Sequence, residues 1–283
     1  MEYTLGLYEK ATPDSTTIPE KLAAAKAAGF DHLELSIDEK DWRQERLMWT
    51  PEERTGIVEA IKRTGIPLRT LCLSGHRRWP FGSHDSEVRA YATMMLERAV
   101  DLSCDLGTEI IMLAGYDVFY ETGDKDTLAW FEDGLRRAVE YAEGRGIVLA
   151  FETMETGYLI DTIAKAKHWV DLVDSPFLRI YPDLGNITNA CERYGTSIAD
   201  DIASGGDTLV AMHLKDTVTD VFRDLRFGEG RVDFEVGIPL ALKAGVRLFT
   251  AEMWDDGREN WQEGLAEANA FLRTRIEGAI EAL

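Results

Sequence analysis

Four residues of types that hold a divalent cation, Glu152, Asp183, His213 and Glu252, each close a short strand-like run: LAFETME, IYPDLGN, AMHLKD and TAEMW. Three carboxylates and one imidazole form an oxygen-rich donor set that suits Mn²⁺, Mg²⁺ or Co²⁺ and can also hold Zn²⁺. Taken singly, a carboxylate at a strand end can as well cap a helix or pair with a cation, and a lone histidine there is often merely hydrogen-bonded. The recurrence on four separate runs points to one bound metal ion. Glu9, Asp38, His76 and Tyr116 also sit at or just past such ends.

The elements that must bring these residues together are short apolar or β-branched runs at Thr4 to Tyr8, His32 to Ile37, Pro67 to Leu73, Glu109 to Ala114, Ile147 to Phe151, Leu178 to Tyr181, Thr208 to His213 and Arg247 to Glu252. Between them lie helical patterns. Pro19 to Phe30 has Pro in its first turn and Gly near its end, and Thr50 to Gly65 opens with Thr, Pro and, at the capping-box position, Glu. Further helices are expected near Ser86 to Leu106, Asp126 to Arg145, Asp161 to Val173, Ser197 to Ala203, Phe234 to Ala244 and Arg258 to Ile280. Strands that alternate with helices imply right-handed crossovers and a parallel sheet. Repeated units of about 35 residues match a closed (β/α)₈ barrel, with a doubly wound open sheet as the alternative. The polar residues decide for the barrel, because chemistry in that fold is carried at the C-terminal ends of the strands. No Pro/Ser-rich linker or low-complexity tract divides residues 1–283, so a single α/β TIM barrel domain is expected.

A formal charge of -20, from 51 acidic against 31 basic residues, repels a phosphate backbone and argues against a nucleic-acid partner. Cys72, Cys104 and Cys191 are odd in number, widely spaced and without a CxxC, as reduced thiols would be. No basic segment followed by an apolar stretch opens the chain, and no run reaches the ~18 apolar residues of a membrane span. The expectation is a soluble, cytoplasmic protein with a small-molecule partner and no membrane association.

The order and wording of YEK (Tyr8 to Lys10), LCLSGHRRWPFGS (Leu71 to Ser83), LAGYD (Leu113 to Asp117), FETME (Phe151 to Glu155), YPDLGN (Tyr181 to Asn186), HLKDT (His213 to Thr217), FGEGRVDF (Phe227 to Phe234) and AEMW (Ala251 to Trp254) resembles the L-ribulose-5-phosphate 3-epimerase family, also called L-xylulose-5-phosphate 3-epimerase. That family lies within the xylose isomerase-like TIM barrel superfamily. The resemblance runs from about Thr4 to Ile276 and implies that Glu152, Asp183, His213 and Glu252 are the metal ligands. It implies 3-epimerisation of a ketopentose phosphate, L-xylulose 5-phosphate to L-ribulose 5-phosphate, through an enediolate. Inversion at C3 needs proton removal on one face and return on the other, and by resemblance Glu152 and Glu252 are that acid/base pair as well as ligands. Asn186 stands three residues after Asp183, where unphosphorylated ketose epimerases carry His, which favours the phosphosugar branch.

Further substrate-binding candidates are Lys10, His76, Arg77, Arg78 and Arg223, with Glu155, Lys215 and Glu229 as residues supporting the site. In the loop SGHRRWPFGS, Arg77 and Arg78 are the leading candidates for the phosphate, because a dianion approaching an acidic protein needs local positive potential. The resemblance also suggests a homodimer, to which Trp79, Phe119, Tyr120 and Trp254 offer aromatic surface. Competing readings are an aldose-ketose or hexulose-phosphate isomerase on the same metal, a non-catalytic sugar-binding protein, and a metal-dependent endonuclease. The endonuclease would need several more histidines than His32, His76, His84, His168 and His213.

Overall fold

The helix starts are written into local sequence. The Thr50 hydroxyl accepts from Glu53 N at 3.3 Å while Thr50 N donates to Glu53 Oε2 at 2.7 Å, with Pro51 between them. Thr17 and Glu20 repeat the device on either side of Ile18 and Pro19. Each reciprocal pair satisfies two backbone or side-chain groups that the first helical turn would otherwise leave unpaired.

A computed structural model describes residues 1–219 and 221–283. Along the chain lie β1 (Thr4–Tyr8), α1 (Ile18–Ala27), β2 (His32–Ile37), a short α2 (Asp41–Gln44), α3 (Pro51–Thr64), β3 (Leu68–Leu73), α4 (Ser86–Leu106), β4 (Ile110–Ala114), α5 (Lys125–Glu143) and β5 (Val148–Glu152). They are followed by α6 (Ile163–Val173), β6 (Leu178–Ile180), α7 (Leu184–Tyr194), α8 (Ile198–Ser204), β7 (Met212–Leu214), α9 (Phe234–Lys243), β8 (Leu248–Ala251) and α10 (Trp261–Ala282). The strands pair in parallel in the order β6-β5-β4-β3-β2-β1-β8-β7. Single parallel bridges, Ile180 to Leu209 and Asp183 to His213, join the two ends. Val210 N donates to Ile180 O at 3.0 Å and His213 N to Pro182 O at 2.9 Å, so the barrel closes by way of two of the expected ligands.

The structure adds two helices that the sequence pattern did not reveal, the four-residue α2 and the longer α7. α7 begins inside YPDLGN, directly after β6, and the expected helix at Ser197 to Ala203 is the second helix of that unit, α8. The cause is local. Pro182 has no N–H to extend the ladder, and Asp183 caps a new helix by accepting from Asn186 N. β7 starts four residues later than expected, because Gly206–Thr208 forms a 3₁₀ turn.

Leu33, Leu35 and Ile37 on β2 join the apolar layer between sheet and helices. The alternate residues His32, Glu34 and Ser36 are also buried, and Glu34 bonds across to residues of β3 and β7 within the barrel. Tyr8, Cys72, Met112, Ala150 and Tyr181 form a second, smaller buried cluster. Among the described residues, no helix is long and apolar enough to cross a membrane.

Gly6 on β1 is required by the buried His32 ring, since a Cβ there would lie 2.0 Å from His32 Nε2. Gly6→Ala is therefore expected to destabilise the fold by about 1–3 kcal/mol through overpacking, read as a lowered Tm in thermal unfolding. An unchanged Tm would mean that the ring has room to yield.

Candidate metal centre

Glu152 is the last residue of β5, Asp183 is the N-cap of α7, His213 is the middle residue of β7, and Glu252 follows β8 with its N donating to Leu214 O at 2.9 Å. One ligand atom from each lies within 4.8 Å of every other, and all four residues are buried. His213 Nδ1 is 3.6 Å from Glu152 Oε1 and 3.4 Å from Glu252 Oε2. Lys215 Nζ approaches Asp183 Oδ1 at 3.4 Å and Glu252 Oε2 at 3.0 Å.

Crowding and burial set the protonation. Burial raises the carboxyl of Glu152 above the ordinary range, against the opposing contact with His213. Burial raises Asp183 well above it, against Lys215. Glu252 is also penalised by burial, yet Lys215 and His213 hold it well below that range. Burial works against the charge on His213, but the carboxylate of Glu34 keeps its imidazolium favoured. Asp183 Oδ2, His213 Nδ1 and Glu252 Oε2 are buried without a hydrogen-bond partner, the last despite its ionic contact with Lys215. Buried polar atoms without partners are costly. Donor types, convergence and these orphaned atoms all fit a divalent cation.

The cavity over this cluster is lined by Lys10, Arg77, Glu155, Asn186, Lys215 and Arg223 from among the residues singled out in the sequence. Lys10 Nζ pairs with Asp38 at 2.7 Å. Arg77 donates to Tyr116 OH at 3.0 Å and Glu155 Oε1 at 3.3 Å, with its guanidinium 4.8 Å from the centroid of Phe119. Asn186 donates to Thr153 O at 2.7 Å, while its Oδ1 is buried without a partner. Glu155 accepts from Tyr116 OH as well as from Arg77.

His76, Arg78 and Glu229 are not brought to this cavity. The turn after β3 is a tight 3₁₀ turn that sends neighbouring side chains in different directions. Arg78 is exposed and pairs with Asp41 at 2.8 Å. His76 packs inward against Phe81, with Nε2 3.2 Å from Ala92 O, and burial lowers its pKa to about 4. Glu229 accepts from Arg226 N at 3.2 Å beside a separate hollow at Asp224 to Arg226. Of the four aromatic residues considered for a dimer contact, Trp254 lines the cavity, Trp79 packs on Tyr91, Phe119 stacks on Tyr158, and Tyr120 is exposed. Among the described residues the one potential metal cluster takes a single one of the five histidines, His213.

Two residues that sequence reasoning passed over prove central. Glu34 contacts His213, and its trace was the alternation of polar His32, Glu34 and Ser36 with leucine and isoleucine on one strand. Asp216, inside HLKDT, accepts from the backbone N–H groups of Thr217, Gly228, Gly230 and Val232 at 2.8–3.2 Å. One carboxylate thereby ties both ends of the loop whose Phe222 and Arg223 face the cavity.

The family model described as "Xylose isomerase-like TIM barrel" matches residues 22–275. The L-ribulose-5-phosphate 3-epimerase UlaE of Salmonella paratyphi A is 37% identical, over 98% of this chain and 97% of its own. SgbU of Escherichia coli strain K12, which carries the same enzyme name as a provisional assignment, is 41% identical over 98% of each chain. Among solved structures, an L-ribulose 3-epimerase superposes with a TM-score of 0.82 at 16% identity, over 100% of this chain and 97% of its own. A D-psicose 3-epimerase determined in the presence of D-fructose gives 0.81 at 18%, over 96% and 99%. At such identities these two structures speak for the fold alone.

Because cation ligands must be deprotonated, and the metal-free cluster holds protons on raised groups, loading with Mn²⁺ is expected to release protons and to tighten as pH rises. Calorimetry in buffers of different ionisation enthalpy measures that release, and affinity independent of pH between about 6 and 8 would contradict it. Ligand linkage should also raise Tm.

Proposed function

The chain belongs to the L-ribulose-5-phosphate 3-epimerases of the xylose isomerase-like TIM barrel family, an isomerase-class family, and from that premise we propose that it interconverts L-xylulose 5-phosphate and L-ribulose 5-phosphate with one divalent metal ion. Glu152, Asp183, His213 and Glu252 hold the ion. The observation that carries this reading is the arrangement of the two glutamates. In barrel order β5, β6, β7, β8, Glu152 and Glu252 flank the Asp183–His213 pair from opposite sides. A ketose seated between them presents opposite faces of C3 to two carboxylates.

One glutamate takes the C3 proton and the other returns one to the opposite face, so that the configuration inverts. When bound, the ion supplies Lewis-acid stabilisation of the negative charge that grows on the C2 oxygen as C3 is deprotonated. Lys215, buried beside Asp183 and Glu252, adds a fixed positive charge. Asn186 Oδ1, buried and unpartnered, is an acceptor for a sugar hydroxyl. Arg77 is the leading phosphate contact: Glu155 and Tyr116 hold its guanidinium at the cavity, and its Nε has no partner. Arg223 and Lys10 are the further basic residues at the cavity. The protein acts as a cytoplasmic homodimer in this reading, consistent with its free cysteines and with the exposed Tyr120 ring. Light scattering at micromolar concentration tests the dimer.

NMR of L-xylulose 5-phosphate in D₂O with enzyme and Mn²⁺ should give L-ribulose 5-phosphate with deuterium at C3, whereas an aldose product would mark an aldose-ketose isomerase. Glu152→Gln and Glu252→Gln should each lower epimerisation by about 10²–10⁴-fold or more. Near-normal turnover in either variant with metal bound would remove that glutamate from the acid/base pair.

Arg77→Ala should lower kcat/KM for the phosphorylated pentulose far more than for unphosphorylated L-xylulose. Arg77→Lys should retain part of the activity as a point charge without the guanidinium fork. Equal losses on both substrates would show that Arg77 serves the site in some other way than phosphate binding.

A further inference from the structure

Inside the barrel, beside the three carboxylates of the cluster, stands another buried carboxylate to which the chemistry above gives no part. Glu34 on β2 is fully buried, and its Oε1 lies 2.7 Å from Nε2 of His213 on β7, across the barrel. Its Oε2 accepts from Thr70 Oγ1 on β3 at 2.6 Å and from Tyr181 OH at 3.1 Å. Tyr181 OH is itself 2.7 Å from Thr250 Oγ1, which lies 3.3 Å from His32 Nε2. The Tyr181 ring also meets the imidazole edge-on, with centroids 4.8 Å apart. Glu34 is therefore anchored from several strands.

A carboxylate only accepts hydrogen bonds, so the short contact puts a proton on Nε2 of His213. Nδ1 is the nitrogen turned toward Glu152 and Glu252, and it has no hydrogen-bond partner. We propose that Glu34 is a positioning residue for the metal centre, fixing the ring orientation and tautomer of His213 so that Nδ1 faces the cation, with Thr70 and Tyr181 holding Glu34 in place. A carboxylate behind a metal-bound histidine also makes the imidazole a stronger donor. The inference deepens the proposed function and rests on it for the presence of the ion.

The test measures metal binding rather than turnover. Mn²⁺ affinity by calorimetry and the visible absorption of the Co²⁺-loaded protein are compared for wild type, Glu34→Gln and Tyr181→Phe. Glutamine keeps the shape and one acceptor but loses the charge, and Tyr181→Phe removes one of the hydroxyls that hold Glu34. Glu34→Gln should weaken Mn²⁺ binding about 10–100-fold and alter the Co²⁺ bands, and Tyr181→Phe should weaken it less, in the same direction. Wild-type Mn²⁺ affinity in folded Glu34→Gln, even with a lowered Tm, overturns the inference and leaves Glu34 a structural residue. If Glu34→Gln does not fold, unchanged affinity in Tyr181→Phe overturns it instead. A wild-type protein that takes up no Mn²⁺ overturns the metal-dependent function and this inference together.

Discussion

Three carboxylates and an imidazole, buried with their ligand atoms within 4.8 Å of one another, are the constraint around which this barrel is built. Like charges this close, shielded from water, repel strongly and forfeit hydration. The protein offsets part of that with Lys215 against Asp183 and Glu252, and with Glu34 against His213. It still leaves Asp183 Oδ2 and His213 Nδ1 unpaired. The remainder is what a divalent cation would neutralise, so the strain of the metal-free cluster is of the kind that binding a cation would relieve.

The scaffold and the loops divide the work. β5, β7 and the ends of β6 and β8 hold the cluster in the sheet ladder, and the bridge between Asp183 and His213 is one of only two that close the barrel among the described residues. Sites on strands are held more rigidly than sites on loops. Arg77, Phe222 and Arg223 arrive on the connections after β3 and β7, where length and sequence can vary without disturbing the ligands. Asp216 limits that freedom, since its four backbone contacts pin the long loop at residues next to the strand it leaves and the helix it enters.

How much was legible beforehand depended on the range of the interaction. Capping boxes act within one helical turn: the one at Thr50 was readable, and the one at Thr17, which was not read, follows the same local rule. The strand-end residues Glu152, Asp183, His213 and Glu252 were readable because each stands next to its own strand-like run. α7 was hidden because Asp183 serves both as a candidate ligand and as the cap of a helix starting one residue later. Arg77 and Arg78, adjacent in sequence, could not be ranked until the turn sent one into the cavity and the other toward Asp41.

By itself the sequence determined the alternation of strands and helices, most of the helices and the identity of the four clustered residues, because these follow from side-chain period, local hydrogen bonding and neighbouring residues. Only the tertiary structure decided that the four ligand atoms converge, that His76 belongs to the packing and not to the cavity, and that Glu34 meets His213 across 179 positions of chain. Such contacts are set by closure of the sheet, which brings together strands distant in sequence and fixes which face of each points inward.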